Sequence, residues 1–243
     1  MIEFLSWDTD FFGYKVGKII NNKTDIYQII TEAKKEKYTL LYGFLNPNDI
    51  FQNEIYQKNN GFLADEKITF LQNVPNINPQ NNPTEIYKRE NLYENKNESE
   101  DLISLALQSG EFSRFKIDKN FEQENLKQHT FEKLYTIWIE NSVNKKIAKN
   151  VIIQQENQKI VGVLTLGIKN NRADIGILAV DNDYRGKKIG QNLILKAFEE
   201  SKKLAQTQIQ VVTQKANQNA CYFYEKMGFM IEKTENIYHF WIK

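Results

Sequence analysis

Apolar positions along this chain alternate between strand-like runs and helical spacing. Over residues 24–37 Ile26, Ile29, Ile30 and Ala33 recur at helical intervals, and TLLYGFL (39–45) then reads as a buried strand. A second helix is predicted over 48–58, a turn at Asn60 and Gly61, and a strand over 62–71. The opening WDTDFFG (7–13) leads through a glycine turn into a strand in YKVGKII (14–20). Trp7, Phe11 and Phe12 are read first as core packing, with a place for Trp7 in a substrate cleft as the other reading.

The pattern breaks at 72–83, QNVPNINPQNNP, which holds three of the four prolines and a run of asparagines. Proline removes donors and asparagine favours turns, so this stretch is predicted to be a connector and a domain boundary. The expected division is 1–74, a linker at 75–83, and 84–243. Beyond it a short strand is predicted over 85–89 and a helix over 99–108 ending near Gly110. SGEFSRFKIDKNF (109–121) reads as irregular, either a binding loop or a solvated loop pinned by its phenylalanines. The helix over 131–143 is amphipathic, with Phe131, Leu134, Tyr135, Trp138 and Ile139 on one stripe. Strands are predicted over 148–154, 159–168 and 173–180, a helix over 187–204, a strand over 208–213 and a short helix over 217–226 closed by Gly228. Two final strands, 229–231 and 237–242, complete a mixed α/β sheet. Residues 54–71 and 222–242 share a Tyr, then Gly-Phe, then a strand, either as a shortened internal copy or by chance.

Charge and composition narrow the chemistry. Thirty-two Lys and Arg against thirty-one Asp and Glu leave a formal charge of +1, so no global field recruits nucleic acid or a membrane surface. One cysteine, Cys221, and two histidines exclude a disulfide framework and a Cys/His zinc cluster, and no metal is expected. The start MIEFLSWDTD has neither the basic region nor the apolar run of a signal peptide, and no segment approaches a membrane span; the expectation is cytoplasmic.

One junction joins a hydrophobic strand to a basic, glycine-containing turn and an amphipathic helix: LAVDNDYRGKKIG, residues 178–190. A helix start leaves backbone N–H groups unpaired at the positive end of the macrodipole, which suits an anion. Arg185, Lys187 and Lys188 add charge, and Gly186 and Gly190 keep side chains out of the way. RGxxxG is neither a Walker loop nor GxGxxG, and alone it is a weak signal. Its surroundings give it weight: IGILAV before, QNLILKAF after, then a strand and Asn217-x-x-Ala220-x-x-x-Tyr224-x-x-x-Gly228-Phe229.

This arrangement, over about residues 85–243, resembles the GNAT superfamily of acyl-CoA-dependent N-acyltransferases. The resemblance implies an α/β fold, a mixed and mostly antiparallel sheet flanked by helices. It implies acetyl-CoA or another acyl-CoA as cosubstrate, its pyrophosphate on the amides of Arg185, Gly186, Lys187, Lys188, Ile189 and Gly190. The pantetheine arm would run beside Leu178, Ala179 and Val180 and touch Asn217, with Tyr224 near the thioester sulfur as the acid that protonates the thiolate. Read without that pattern, Tyr224 is a core tyrosine. At 188, where many members carry glycine, lysine implies a helical φ, with its charge helping the anion. No carboxylate stands out as general base; Asp174 and a water relay are the readings that remain.

WDTDFFG, SGEFSRFKIDKNF and FEKLYTIWIENS (131–142) are in turn similar to the dTDP-fucosamine acetyltransferases and their relatives, which acylate nucleotide-linked amino-dideoxy sugars. That similarity implies a smaller, truncated GNAT-like α/β domain at the amino terminus, a role in O-antigen or surface polysaccharide biosynthesis, and a dTDP-amino sugar as partner. Arg114 suits its diphosphate and Phe115 its ring, with Trp7 as a further contact. A homodimer is expected. A peptide or protein amine as acceptor is the alternative.

Overall fold

The computed structural model describes residues 1–20, 25–76 and 82–242, and the side chains of these except 124–127. The predicted connector and the start of the first predicted helix therefore lie partly outside the described residues.

The amino-terminal part begins with an antiparallel pair, Ile2–Phe4 (β1) and Val16–Ile19 (β2), joined by a short helix, Ser6–Phe12 (α1). That helix falls where the sequence suggested only a turn; Gly13, at φ 74°, is its left-handed cap. Ile26–Lys35 (α2), Leu40–Leu45 (β3), Ile50–Lys58 (α3) and Phe62–Asn73 (β4) follow. The side chains of Asp25 and Asp49 accept from the backbone N–H groups of Tyr27 and Gln52 and so cap the two helices. Strand β4 outruns its predicted end because Gln72 and Asn73 pair with Ile209 and Gln208.

The second part comprises Glu85–Ile86 (β5), Lys96–Ser109 (α4), Arg114–Ile117 (α5), Lys119–Gln128 (α6) and Thr130–Val143 (α7). Then come Asn150–Glu156 (β6), Lys159–Lys169 (β7), Arg172–Val180 (β8), Ile189–Lys203 (α8), Gln208–Gln214 (β9), Gln218–Lys226 (α9) and Met230–Trp241 (β10). Two expectations need correction. The segment read as irregular, 109–121, contains α5 and the start of α6: the Ser113 hydroxyl accepts from Phe115 N–H, and the Asp118 carboxylate from Asn120 N–H. The two predicted final strands are one, because register shifts at Ile231/Lys233 and Ile237/Tyr238 let β10 follow β4 without a break.

The ten strands of the described residues join one sheet in the order β1-β2-β3-β10-β4-β9-β8-β7-β6-β5. The strands before residue 75 do not close a sheet of their own, since β4 lies between β10 and β9 and β10 lies between β3 and β4. Outward from the antiparallel β4/β10 pair the pattern is the same on both sides: an antiparallel neighbour, then a parallel one, β2 beyond β3 and β8 beyond β9. The sequence echo falls on this symmetry, with α3-β4 matching α9-β10. Helix α3 ends with Gly61 N–H donating to Tyr56 C=O and Asn60 N–H to Gln57 C=O, and α9 ends with Phe229 N–H to Tyr224 C=O and Gly228 N–H to Glu225 C=O. The closing bonds superpose when Tyr56 is matched with Tyr224, one residue off the shared Gly-Phe.

The core also crosses the predicted boundary. Phe12, Val16, Leu40 and Tyr42 pack in one cluster with Leu102, Phe115, Phe121, Leu134, Val163 and Ile177. A buried polar tie fixes α6 against the sheet: the Asp118 carboxylate accepts from Trp241 Nε1 (2.9 Å) and meets His239 Nδ1 (2.7 Å). Burial alone would raise the Asp118 carboxyl, but the hydrogen bonds from His239 and Trp241 hold it below its ordinary value. Burial drives the His239 imidazole down to about 4, so it is neutral at pH 7 and donates through Nδ1. Among the described residues no helix is long and apolar enough to cross a membrane, and no His, Cys, Asp and Glu cluster is arranged to hold a metal ion.

Because β4 carries the buried Ile68 and Phe70 into the carboxyl-terminal core, a fragment starting at residue 84 loses that packing and bares the edges of β9 and β10. Such a fragment is expected to show no cooperative thermal transition by circular dichroism, whereas the full chain shows one. A fragment that unfolds cooperatively would contradict this.

Candidate active site

Strands β8 and β9 run parallel but pair only at Ala173/Ile209, Asp174/Gln210 and Ile175/Val211. Beyond Ile175 they part. The separation coincides with an irregularity in the β7/β8 ladder, where the partner of Leu164 is Leu178 and that of Leu166 is Ile175, so β8 carries an extra residue. Thr165 Oγ1 accepts from Ile177 N–H at 2.8 Å, and Asp181 N–H donates to Val161 C=O at 2.9 Å. Residues 177, 179 and 181 therefore direct their backbone groups toward β7, and by alternation Leu178 and Val180 direct theirs into the gap.

The gap opens into a cleft of about 950 Å³. Its walls include Leu178, Ala179, Val180, Arg185, Gly186, Lys188, Ile189, Gly190, Asn217 and Tyr224, and from the other side Asp65, Ser113, Arg114, Phe115 and Tyr135. Lys187 does not line it: its ammonium sits 4.5 Å over the Tyr184 ring. Nor does Trp7, which is 47% exposed and stacked on Phe11. Phe115 lines the cleft but is largely built into an aromatic cluster with Phe12 and Phe121.

The turn before α8 forms one end of the cleft. Arg185 Nε–H donates to Val180 C=O at 3.3 Å, folding the arginine back over the strand end. Gly186 has φ 79°, a conformation in which any side chain is strained. Lys188 has φ 64° and ψ 9°, so the turn does demand the left-handed region there, against the helical φ expected of a lysine. As N-cap it offers no side-chain hydrogen bond, which leaves the first N–H groups of α8 to a ligand or to water. Gly190 lets α9 close in: a Cβ there would stand 3.2 Å from the Phe223 ring.

Helix α9 is the opposite wall. The Asn217 side chain accepts from Ala220 N–H (3.2 Å) and starts it. Tyr224, about two turns on, is 5% exposed and surrounded by Phe70, Phe223 and Phe229. Burial pushes its phenol well above the ordinary tyrosine value, and no protein group among the described residues bonds its hydroxyl. It is a protonated donor at neutral pH.

Asp174 is spent within the sheet, accepting from Gln210 Nε2 at 2.7 Å, and it does not reach the cleft. Among the described residues two carboxylates line the cleft, the exposed Glu111 and, on β4, the buried Asp65, 8% exposed. Sequence reasoning missed Asp65, because only the insertion of β4 beside β9 brings it there. Its carboxyl is pushed up to about 6 by burial, with Arg114, Lys67 and the Gln214 side chain pulling the other way. Arg114, on α5, lies 4.5 Å over the Tyr42 ring and 4.7 Å over that of Phe115, and it forms no salt bridge among the described residues. The cleft thus holds a free backbone edge, a cationic turn, a protonated phenol, a buried carboxylate and a stacked guanidinium.

Residues 115–229 match the family model described as the acetyltransferase (GNAT) family. The chain is 26% identical over 144 residues to the spore coat polysaccharide biosynthesis protein SpsD of Bacillus subtilis, a match covering 59% of this chain and 48% of that protein. It is 27% identical over 157 residues to the uncharacterized N-acetyltransferase MJ1207 of Methanocaldococcus jannaschii, covering 62% of this chain and 66% of that protein. The chain thus spans about half the length of the first of these relatives and 66% of the second. Among solved structures, the GCN5-related N-acetyltransferase from Sphaerobacter thermophilus shares the fold at a TM-score of 0.52 and 9% identity, over 87% of this chain and 64% of that one. The splayed strands and the turn before α8 lie within the residues that match the acetyltransferase (GNAT) family model, so the family match and the geometry of the cleft fall on the same part of the chain.

Proposed function

We propose that this protein moves an acetyl or short acyl group from acyl-CoA to the amine of a nucleotide-linked amino-dideoxy sugar, with dTDP as the nucleotide. The observation that carries the reading is the convergence, in one cleft, of the gap between β8 and β9, the cationic turn and Tyr224 with Arg114 from α5. The residues fit an acyl-CoA. The amides of 186–190 and the charges of Arg185 and Lys188 suit its pyrophosphate, the free edge at Leu178 and Val180 suits the amides of its arm, and Asn217 faces them. Bound there, acyl-CoA supplies an activated acyl carbon. The Val180 N–H polarises its carbonyl, and Tyr224, whose phenol burial keeps protonated at neutral pH, has a proton to give to the departing sulfur.

A sugar nucleotide as acceptor is supported by the stacked guanidinium of Arg114, which is in no salt bridge among the described residues and matches a diphosphate, and by the similarity to a protein named for polysaccharide biosynthesis. The amino-terminal unit, 1–74, is in this reading a shortened copy of the acyltransferase unit that has kept its closing helix and strand and lost the anion turn. Its contribution to the cleft is β4.

Three outcomes are expected. With acetyl-CoA and a panel of dTDP-amino sugars, thiol release appears with at least one sugar; release only with peptide amines would transfer the acceptor to the other class. Tyr224→Phe lowers kcat by about 10²- to 10⁴-fold while coenzyme affinity changes by no more than about threefold, and normal turnover in that variant would sink the acid assignment. Lys188→Gly relieves a left-handed lysine worth roughly 1 kcal/mol, raising Tm by about 2–4 °C, and removes one charge, weakening coenzyme A binding about two- to fivefold. A lower Tm would mean that the turn is not strained.

A further inference from the structure

We infer that Asp65 is the general base of the reaction: its carboxylate receives the acceptor's ammonium group and takes its proton before and during attack on the thioester. The inference rests on the acyltransferase reading above and adds the residue that handles the amine. Three observations place it. Asp65 lines the same cleft as Tyr224 while coming from β4, a strand of the amino-terminal unit, so donor and acceptor machinery meet from different parts of the chain. It has no salt bridge among the described residues, because the neighbouring Lys67 is committed to Glu235 at 2.8 Å. Its cross-strand neighbour on β10, Ile237, is apolar and buried, so nothing on that side satisfies the charge. A buried carboxylate that faces the cleft and is in no salt bridge among the described residues is suited to receive the acceptor's ammonium group.

The charged and titratable groups around it come from several elements. They are Glu66 and Lys67 on β4, Arg114 on α5 and Tyr135 on α7, with the Gln214 amide from β9. Arg114, stacked on the Tyr42 and Phe115 rings and close enough to Asp65 to lower its carboxyl, is suited to hold an anionic part of the acceptor while Asp65 holds the cationic one. Burial leaves the carboxyl at about 6, which makes it ionised at pH 7 yet basic enough to accept a proton.

The steps balance as follows. The ammonium gives one proton to the Asp65 carboxylate, which releases it to solvent. The neutral amine's lone pair forms the C–N bond to the thioester carbon, and the nitrogen's second proton passes to Asp65. The C–S electron pair leaves with sulfur, which takes a proton from Tyr224. Solvent then removes the proton from Asp65 and restores that of Tyr224, so the net products are amide, free thiol and one proton.

Initial rates of thiol release from pH 5 to 9 test this on the full chain with the best sugar acceptor. For the wild type kcat/KM falls below about pH 6, tenfold per unit, as Asp65 becomes protonated. Asp65→Asn lowers kcat by about 10²- to 10⁴-fold and removes that limb, Asp65→Glu restores part of the rate with the limb displaced, and coenzyme A binding by calorimetry is unchanged in both. The sign of the stability effect is a separate readout. A carboxyl whose folded value lies above its unfolded one destabilises the fold as pH rises through that interval, so Asp65→Asn is expected to raise Tm at pH 7, where a merely structural aspartate would lower it. Full kcat in Asp65→Asn, or an acid limb that persists there because it belongs to the substrate amine, overturns the base. A wild-type protein that binds coenzyme A but acylates no amine overturns the acyltransferase reading and the base with it.

Discussion

The parting of β8 from β9 after three paired residues is the constraint on which the rest of the site depends. A parallel ladder that continued would satisfy Leu178 and Val180 and fill the sheet; one that stops leaves a free edge in the protein's interior, open to a ligand backbone. The extra residue in β8 opposite Thr165 turns the strand away, and the Thr165 hydroxyl makes up the hydrogen bond that the irregularity would otherwise lose. At its end the strand runs directly into the turn at 185–188, so the free edge and the start of α8 form one continuous binding wall.

The sheet's connectivity then supplies the second wall. Placing β4 between β9 and β10 builds both units on one surface, and it brings Asp65 and Lys67 beside the gap. The polar tie of Asp118 to His239 and Trp241 holds α6 on β10, and with it the short helix carrying Arg114. The amino-terminal residues therefore form part of the wall of the cleft, although none of them resembles the motif that marks it.

How much was legible in the sequence follows from distance along the chain. The strand, turn and helix of 172–203 and the capped helix from Asn217 are local features, with hydrophobic spacing, glycines and a capping residue all visible within about thirty residues, and they were readable. Lys188 shows where local reasoning fails: lysine does not favour the left-handed region, and the surrounding turn imposes it. The helices at 114–128 were hidden because their caps, Ser113 and Asp118, sit among loop-like residues. Asp65 was not readable at all, since its neighbours Leu63, Ala64, Glu66 and Lys67 look like any half-exposed strand. Its burial arises only when β9 and β10 close on either side. The asparagine-rich stretch at 72–83 suggested a division of the chain, yet the strands on its two sides belong to one sheet.

The central claim is that the free edge of β8 and the start of α8 together receive acyl-CoA. Amide exchange measured residue by residue, with and without saturating acetyl-CoA, addresses it directly. The account predicts slowed exchange at Leu178, Val180 and residues 188–191, with the distant β5/β6 pair unchanged. Saturating coenzyme that leaves those amides as they were would contradict it.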